Sequence, residues 1–133
     1  MGIPLTQTTS PIVSGALADA AFVIGAEAAD VINVGIQFQN GAGADITERA
    51  SVMFYLADDV NGDIPSAAAP SGGIAIGTDG ALIEWTANLA GLMIGEVDGD
   101  VDINITEAGV DTWYLVLVMP NGSLVISGAI TFA

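Results

Sequence analysis

The sequence predicts an all-β chain, folded as an antiparallel β-sandwich of short strands, and three observations carry that expectation. Apolar residues recur at every second position in several segments, the pattern of a strand with one dry and one wet face. The 17 glycines help to punctuate these segments with turn signals such as Thr78-Asp79-Gly80 and Pro120-Asn121-Gly122. No stretch keeps apolar residues at helical spacing for more than about two turns. With 52% hydrophobic and 13% charged residues, the 133-residue chain is too apolar for a disordered acidic tail and of a length that suits one domain.

Residues 1–18 carry no charge and are rich in Thr, Ser, Gly, Ala and Pro, so they are read as an extended N-terminal arm. Residues 19–133 then form a single sandwich domain. In VINVGIQFQ, the side chains of Ile32, Val34, Ile36 and Phe38 share one face, and Asn33, Gly35 and Gln37 the other. After a turn from Asn40 to Asp45, Val52, Phe54 and Leu56 point together in a second strand. Residues 58–73, with Pro65 and Pro70, form a long excursion. Short strands at 73–77 and 81–86 flank the Thr78 turn, another spans 90–96, and Val101, Ile103 and Ile105 face inward. These are read as meander-like pieces. Residues 112–119 are apolar on both faces, which suits a strand in the middle of a sandwich. The uncharged run 112–133 is long enough to raise the question of a membrane helix, but Pro120-Asn121-Gly122 breaks it into a hairpin whose second strand covers 124–132.

Charge narrows the chemistry. Sixteen acidic side chains face the single Arg49, with no Cys, His or Lys, for a net charge of −15. Ser-His-Asp and Cys-His nucleophiles, His or Cys metal sites, Schiff bases and P-loop lysines are all excluded. No enzyme activity and no cofactor are expected. One guanidinium cannot neutralise a phosphate backbone or an anionic lipid surface, so neither nucleic acid nor membrane is an expected partner. The N-terminal residues lack the basic start of a secretory signal, and synthesis in the cytoplasm is expected.

Three groups of polar residues merit weighing. Asp59, Asn61 and Asp63 place oxygens at the first, third and fifth positions of a calcium loop, but Ile64 and Pro70 stand where such a loop needs Gly and Glu. A tight polar turn is the better reading, with no metal expected. Asp98, Asp100 and Asp102 would share one strand face at about 6–7 Å spacing. A carboxylate pair of a glycosidase has comparable spacing, but only Trp85 and Trp113 could stack on a sugar, so a solvated strand face is preferred. Arg49, alone among the acids, is expected to make a structural ion pair.

The order VDINI, TEAGVDTWY, LVLVMP, NG, LVISGAITF resembles the closing half of an immunoglobulin-like domain. That resemblance implies an immunoglobulin-like sandwich in which Tyr114, five residues after Gly109, closes a tyrosine corner by bonding back to the backbone. Trp113 beside it is taken as a structural residue. A wider set of segments, VINVGIQF, FYLADDVNGD, APSGGIAIGTDG, EVDGDVDINITEAGVDTWYLVLVMPNG and SGAITFA behind an uncharged arm, resembles small proteins encoded with the head genes of tailed bacteriophages. It implies a non-enzymatic virion protein that decorates or cements the capsid surface as a homo-oligomer, with the major capsid protein or another virion protein as partner. Arg49 could then accept a carboxylate of the shell. The alternative is a fibre-like or extracellular module that binds a carbohydrate or receptor.

Overall fold

The computed structural model describes residues 16–133, where ten strands form two antiparallel sheets and no helix occurs among the described residues. The strands are β1 (Leu17–Ile24), β2 (Val31–Asn40), β3 (Ser51–Ala57), β4 (Gly73–Ile76), β5 (Ala81–Thr86), β6 (Ala90–Ile94), β7 (Asp100–Thr106), β8 (Asp111–Val118), β9 (Leu124–Ile126) and β10 (Ile130–Phe132). One sheet has the order β1-β2-β7-β4. The other runs β10-β8-β3-β6-β5, with β9 also paired to β8. The expected arm lies outside the described residues up to position 15, and its last two residues, Leu17 and Ala18, open β1.

The period-2 residues make the core. Ile32, Val34, Ile36 and Phe38 of β2 and Val101, Ile103 and Ile105 of β7 face Val52, Phe54 and Leu56 of β3 and Trp113, Leu115 and Leu117 of β8, all buried in one cluster. Each such side chain contributes about 1.5–3 kcal/mol through burial. Register follows from the same residues: Ile32 lies opposite Ile105, Val34 opposite Ile103 and Ile36 opposite Val101. A slip of one residue would turn all of them to water.

The neighbour orders β1-β2-β7 and β10-β8-β3 are those of strands A-B-E and G-F-C in an immunoglobulin-like sandwich, so the topology is compatible with that fold. It differs in the middle, where β4 joins the first sheet before the β5–β6 hairpin joins the second. The segments 73–77 and 81–86 are therefore not neighbours in a meander. The turn between them crosses from sheet to sheet, because the Asp102 carboxylate accepts the N–H groups of Thr78 and Asp79. Gly80, at φ +98°, passes so close to Val101 and the Ile94 carbonyl that a Cβ would lie 2.5 Å from Val101.

The closing strand is likewise split. Ser127 Oγ accepts the Leu115 N–H at 2.9 Å while the Ser127 N–H donates to the Leu115 carbonyl, so a side chain takes a ladder position and the chain steps aside before β10 resumes pairing. β8 is apolar on both faces for a local reason. The turn at 59–63 folds over its outer side, and Gly62 packs against Val116 and Ile126.

Trp113 is buried, meets Phe132 edge to face at 6.1 Å, and donates from Nε1 to Ser66 Oγ and the Ala68 carbonyl, each at 3.2 Å. Tyr114 does not close a corner. Its neighbours Trp113 and Leu115 take the core side, which leaves the phenol half-buried on the outer face with no hydrogen bond from its hydroxyl among the described residues. The tyrosine that pins a turn is Tyr55, whose hydroxyl donates to the Gly62 carbonyl at 2.6 Å.

Two stability measurements follow. Tyr55→Phe should lower the unfolding free energy in urea by about 1 kcal/mol, the usual net value of one hydrogen bond. Tyr114→Phe should change it by less than about 0.5 kcal/mol, because the hydroxyl it removes makes no hydrogen bond among the described residues. The β1–β2 connection holds Ala29 and Asp30 at φ 51° and 66°, conformations that suit Asn-Gly. Ala29→Asn combined with Asp30→Gly should raise stability by about 1 kcal/mol, since left-handed backbone costs an ordinary residue about that much.

Candidate interaction surfaces

The outer face of the first sheet is a lattice of amides and carboxylates. Asn33 Nδ2 donates to Asp102 Oδ2 at 2.6 Å and to Asn104 Oδ1 at 2.9 Å, and Gln39 Nε2 donates to Asp45 Oδ1 at 3.1 Å. Burial alone would push the Asp102 carboxyl up, but the N–H groups of Asp79 and Thr78 and the Asn33 amide outweigh it and hold the carboxyl low. Glu96 and Asp100 go the other way. Burial raises both, and the Asp79 carboxylate beside them adds to the rise.

Asp98, Asp100 and Asp102 thus do not act alike: Asp98 accepts the Asp100 N–H at 3.3 Å, Asp100 is crowded by other acids, and Asp102 has hydrogen-bond donors on both oxygens. Arg49 is exposed and donates from Nη1 to the Gly95 carbonyl at 3.1 Å. It stands near enough to Glu96 to draw that carboxyl down, but the expected ion pair does not form among the described residues. Asp59 caps its own turn, accepting from the N–H groups of Ile64 at 2.9 Å and Asn61 at 3.3 Å, and the Ile64 bond is the main reason its carboxyl is held low. Asn61 and Asp63 are exposed beside it. No group of three or more acidic side chains among the described residues is arranged to hold a metal ion. Trp113 is buried, so it cannot stack on a ligand, and Trp85 remains as the exposed tryptophan.

One organising residue escaped the sequence reading. Glu107, nearly buried at the end of β7, accepts from Ser71 N–H at 2.9 Å, Ser71 Oγ at 3.0 Å and Gly109 N–H at 2.6 Å. It ties the excursion to the β7–β8 corner. Its signal in the sequence, an acid two residues ahead of Gly109, is too common to single out.

The outer face of the second sheet has the opposite character. One cross-strand row reads Leu124, Val118, Met53, Leu92, Ile83 across β9, β8, β3, β6 and β5. The rows beside it hold Ile126, Val116, Tyr55, Ala90 and Thr86 on one side and Ser51, Ile94 and Ala81 on the other. None of these residues is charged. The 59–63 turn covers the Val116 end, whereas Met53 is 48%, Ile83 53% and Leu124 43% exposed.

The chain matches no protein-family model, and a search of curated proteins returns no match.

The carboxyl groups predict a particular pH profile. Glu96 and Asp100 bind protons more tightly in the folded chain, so stability rises as pH falls from neutrality through their raised pKa values. Asp59, Asp102 and Glu107 bind protons less tightly when folded. Their contribution is complete above the ordinary carboxylate range near about pH 4 and is lost as pH drops through their lowered values. The thermal midpoint should therefore peak on the acid side of neutrality. Asp100→Asn should flatten the limb above the peak, and Asp102→Asn the limb below it.

Proposed function

We propose that this chain is a non-enzymatic structural protein of a tailed-phage virion, which decorates or cements the outer surface of the capsid. The observation that carries the reading is the division of charge: residues 1–18 have none, and all sixteen carboxylates follow from Asp19 onward. An acidic sandwich on the outside of a DNA-filled shell does not compete for the genome, and its like charges resist nonspecific clumping. An uncharged arm can approach a protein shell without repulsion and offer backbone hydrogen bonds to an exposed sheet edge. It joins the sandwich at β1, itself an edge strand.

A fibre-like module for a carbohydrate or receptor is the second reading. The exposed Trp85, a surface on which a sugar ring could stack, favours it. A glycan array would register such binding.

Residues 2–15 can be deleted without touching β1, and this variant tests the attachment mode. On bare heads of the same phage, full-length protein should keep its occupancy from low to high salt, because exposed ion pairs are screened within about 10 Å at 0.1 M and the arm has none. The shortened protein should bind about tenfold more weakly or worse. Unchanged binding after deletion would remove the arm as the anchor, and loss of full-length binding in high salt would move the contact to the acidic faces.

A further inference from the structure

We infer that Asn121, at the tip of the β8–β9 hairpin, is where this chain modifies itself, losing its side-chain amide to give aspartate and isoaspartate, and that Ser123 promotes the step. The inference goes beyond the virion reading, since the reaction needs only the folded chain and water. Three Asn-Gly pairs occur in the sequence: Asn40-Gly41, Asn61-Gly62 and Asn121-Gly122. In each, the glycine nitrogen is the nucleophile next to the asparagine Cγ, and no Cβ on the glycine obstructs its approach. The fold treats the three pairs differently.

Asn40 is buried, its Oδ1 accepts the N–H groups of Ala42 and Ala44 at 3.0 Å each, and its own N–H and carbonyl bond to Ala44 and Gly43. Its amide is shielded from water and held in one position. In the second pair the glycine is buried: Gly62 donates to the Asp59 carbonyl at 3.2 Å, accepts from the Tyr55 hydroxyl at 2.6 Å and packs against Val116 and Ile126. Freeing its nitrogen breaks that packing. Asn121 and Gly122 are both exposed, and a Cβ on Gly122 would meet nothing within 4 Å. The Gly122 N–H donates to the Met119 carbonyl at 2.8 Å, a turn bond that opens into water with no packing lost.

Ser123 supplies the activation. Asn121 Oδ1 accepts both its N–H at 3.0 Å and its hydroxyl at 2.7 Å, so two donors already face the oxygen on which negative charge collects when the nitrogen adds. The Gly122 nitrogen gives its proton to water and bonds to Asn121 Cγ; the Cγ–Nδ2 bond breaks, and the amide leaves as ammonia after taking up a proton. Water then opens the cyclic imide, at Cγ to give aspartate or at the main-chain carbonyl carbon to give isoaspartate. One water enters, one ammonia leaves, and nothing is oxidised or reduced.

Peptide mapping by mass spectrometry tests this. The folded chain is held in mildly alkaline buffer, sampled over time and cut after Asp and Glu. No acidic residue follows Asp111, so residues 112–133 form one fragment whose only side-chain amide is Asn121. Aspartate there opens a new cut, and isoaspartate keeps the fragment whole. Conversion at Asn121 should run at least about tenfold faster than at Asn40 or Asn61, and in guanidinium the three should convert at similar rates, because the protection is that of the fold. Ser123→Ala should slow Asn121 about fivefold, the factor of one ordinary hydrogen bond, with folding checked by circular dichroism. Asn121→Gln should remove the more acidic species that isoelectric focusing of the intact chain resolves. Faster conversion at Asn40 or Asn61 in the folded chain, or an acidic species that persists in Asn121→Gln, would overturn the inference. A Ser123→Ala rate equal to that of the unaltered chain would overturn the part given to Ser123.

Discussion

A chain with sixteen carboxylates and one arginine cannot organise its surface through ion pairs, and the donors it uses instead are backbone N–H groups. Asp19, Glu27, Asp59, Glu84, Asp98, Asp102, Glu107 and Asp111 each accept at least one. A carboxylate bound in this way keeps its charge while satisfying amides that a turn would leave open. Burial of the two inner faces holds the sandwich together, and some of these acids, Asp59, Asp102 and Glu107 among them, hold turns between strands. Two of them belong to one strand and its end: Asp102 of β7 sets the crossover from β4 to β5, and Glu107 just beyond sets the corner from β7 to β8.

The excursion between β3 and β4 uses this arrangement at its Glu107 end and other hydrogen bonds along the rest of its length. It is held at intervals, by the Asp58 N–H on the Ile64 carbonyl, the Tyr55 hydroxyl on Gly62, the Ser66 N–H on Leu56, the Trp113 indole on Ser66 and Ala68, and Ser71 on Glu107. Its path begins over the outer face of the second sheet and ends beside β7 in the first. In passing, it packs on Val116, which is buried, and on the half-buried Ile126, and it leaves the strip around Met53, Leu92 and Ile83 open.

Acids on one sheet and apolar side chains on the other give the molecule two unlike faces. The contrast comes from strand composition. β2 and β7 fill their outward positions with Asn33, Gln37, Asp100, Asp102 and Asn104, whereas β3, β5 and β6 use Met53, Tyr55, Ile83, Leu92 and Ile94. The proposed setting on a shell draws on this distribution of charge, since an acidic face repels like-charged surfaces.

The alternation in β2, β3 and β7 was legible in the sequence because each strand is paired on both sides and buried on one face, so the period-2 pattern alone names the core residues. The Pro120-Asn121-Gly122 turn was equally plain, since Gly122 at φ +87° needs the freedom its type allows. The assignment of β4 and β5 to different sheets, the break between β9 and β10, and the exchange of Tyr114 for Tyr55 as the turn-pinning phenol were not. Each rests on a bond between residues far apart in the chain: Asp102 to Thr78 and Asp79, Ser127 to Leu115, and Trp113 to the excursion that places Gly62. Local pattern determines which side of a strand is dry, because the pleat fixes side-chain direction residue by residue. Which strands share a sheet, and which outer face stays open, was decided by tertiary contacts whose donors and acceptors meet only after the chain has folded.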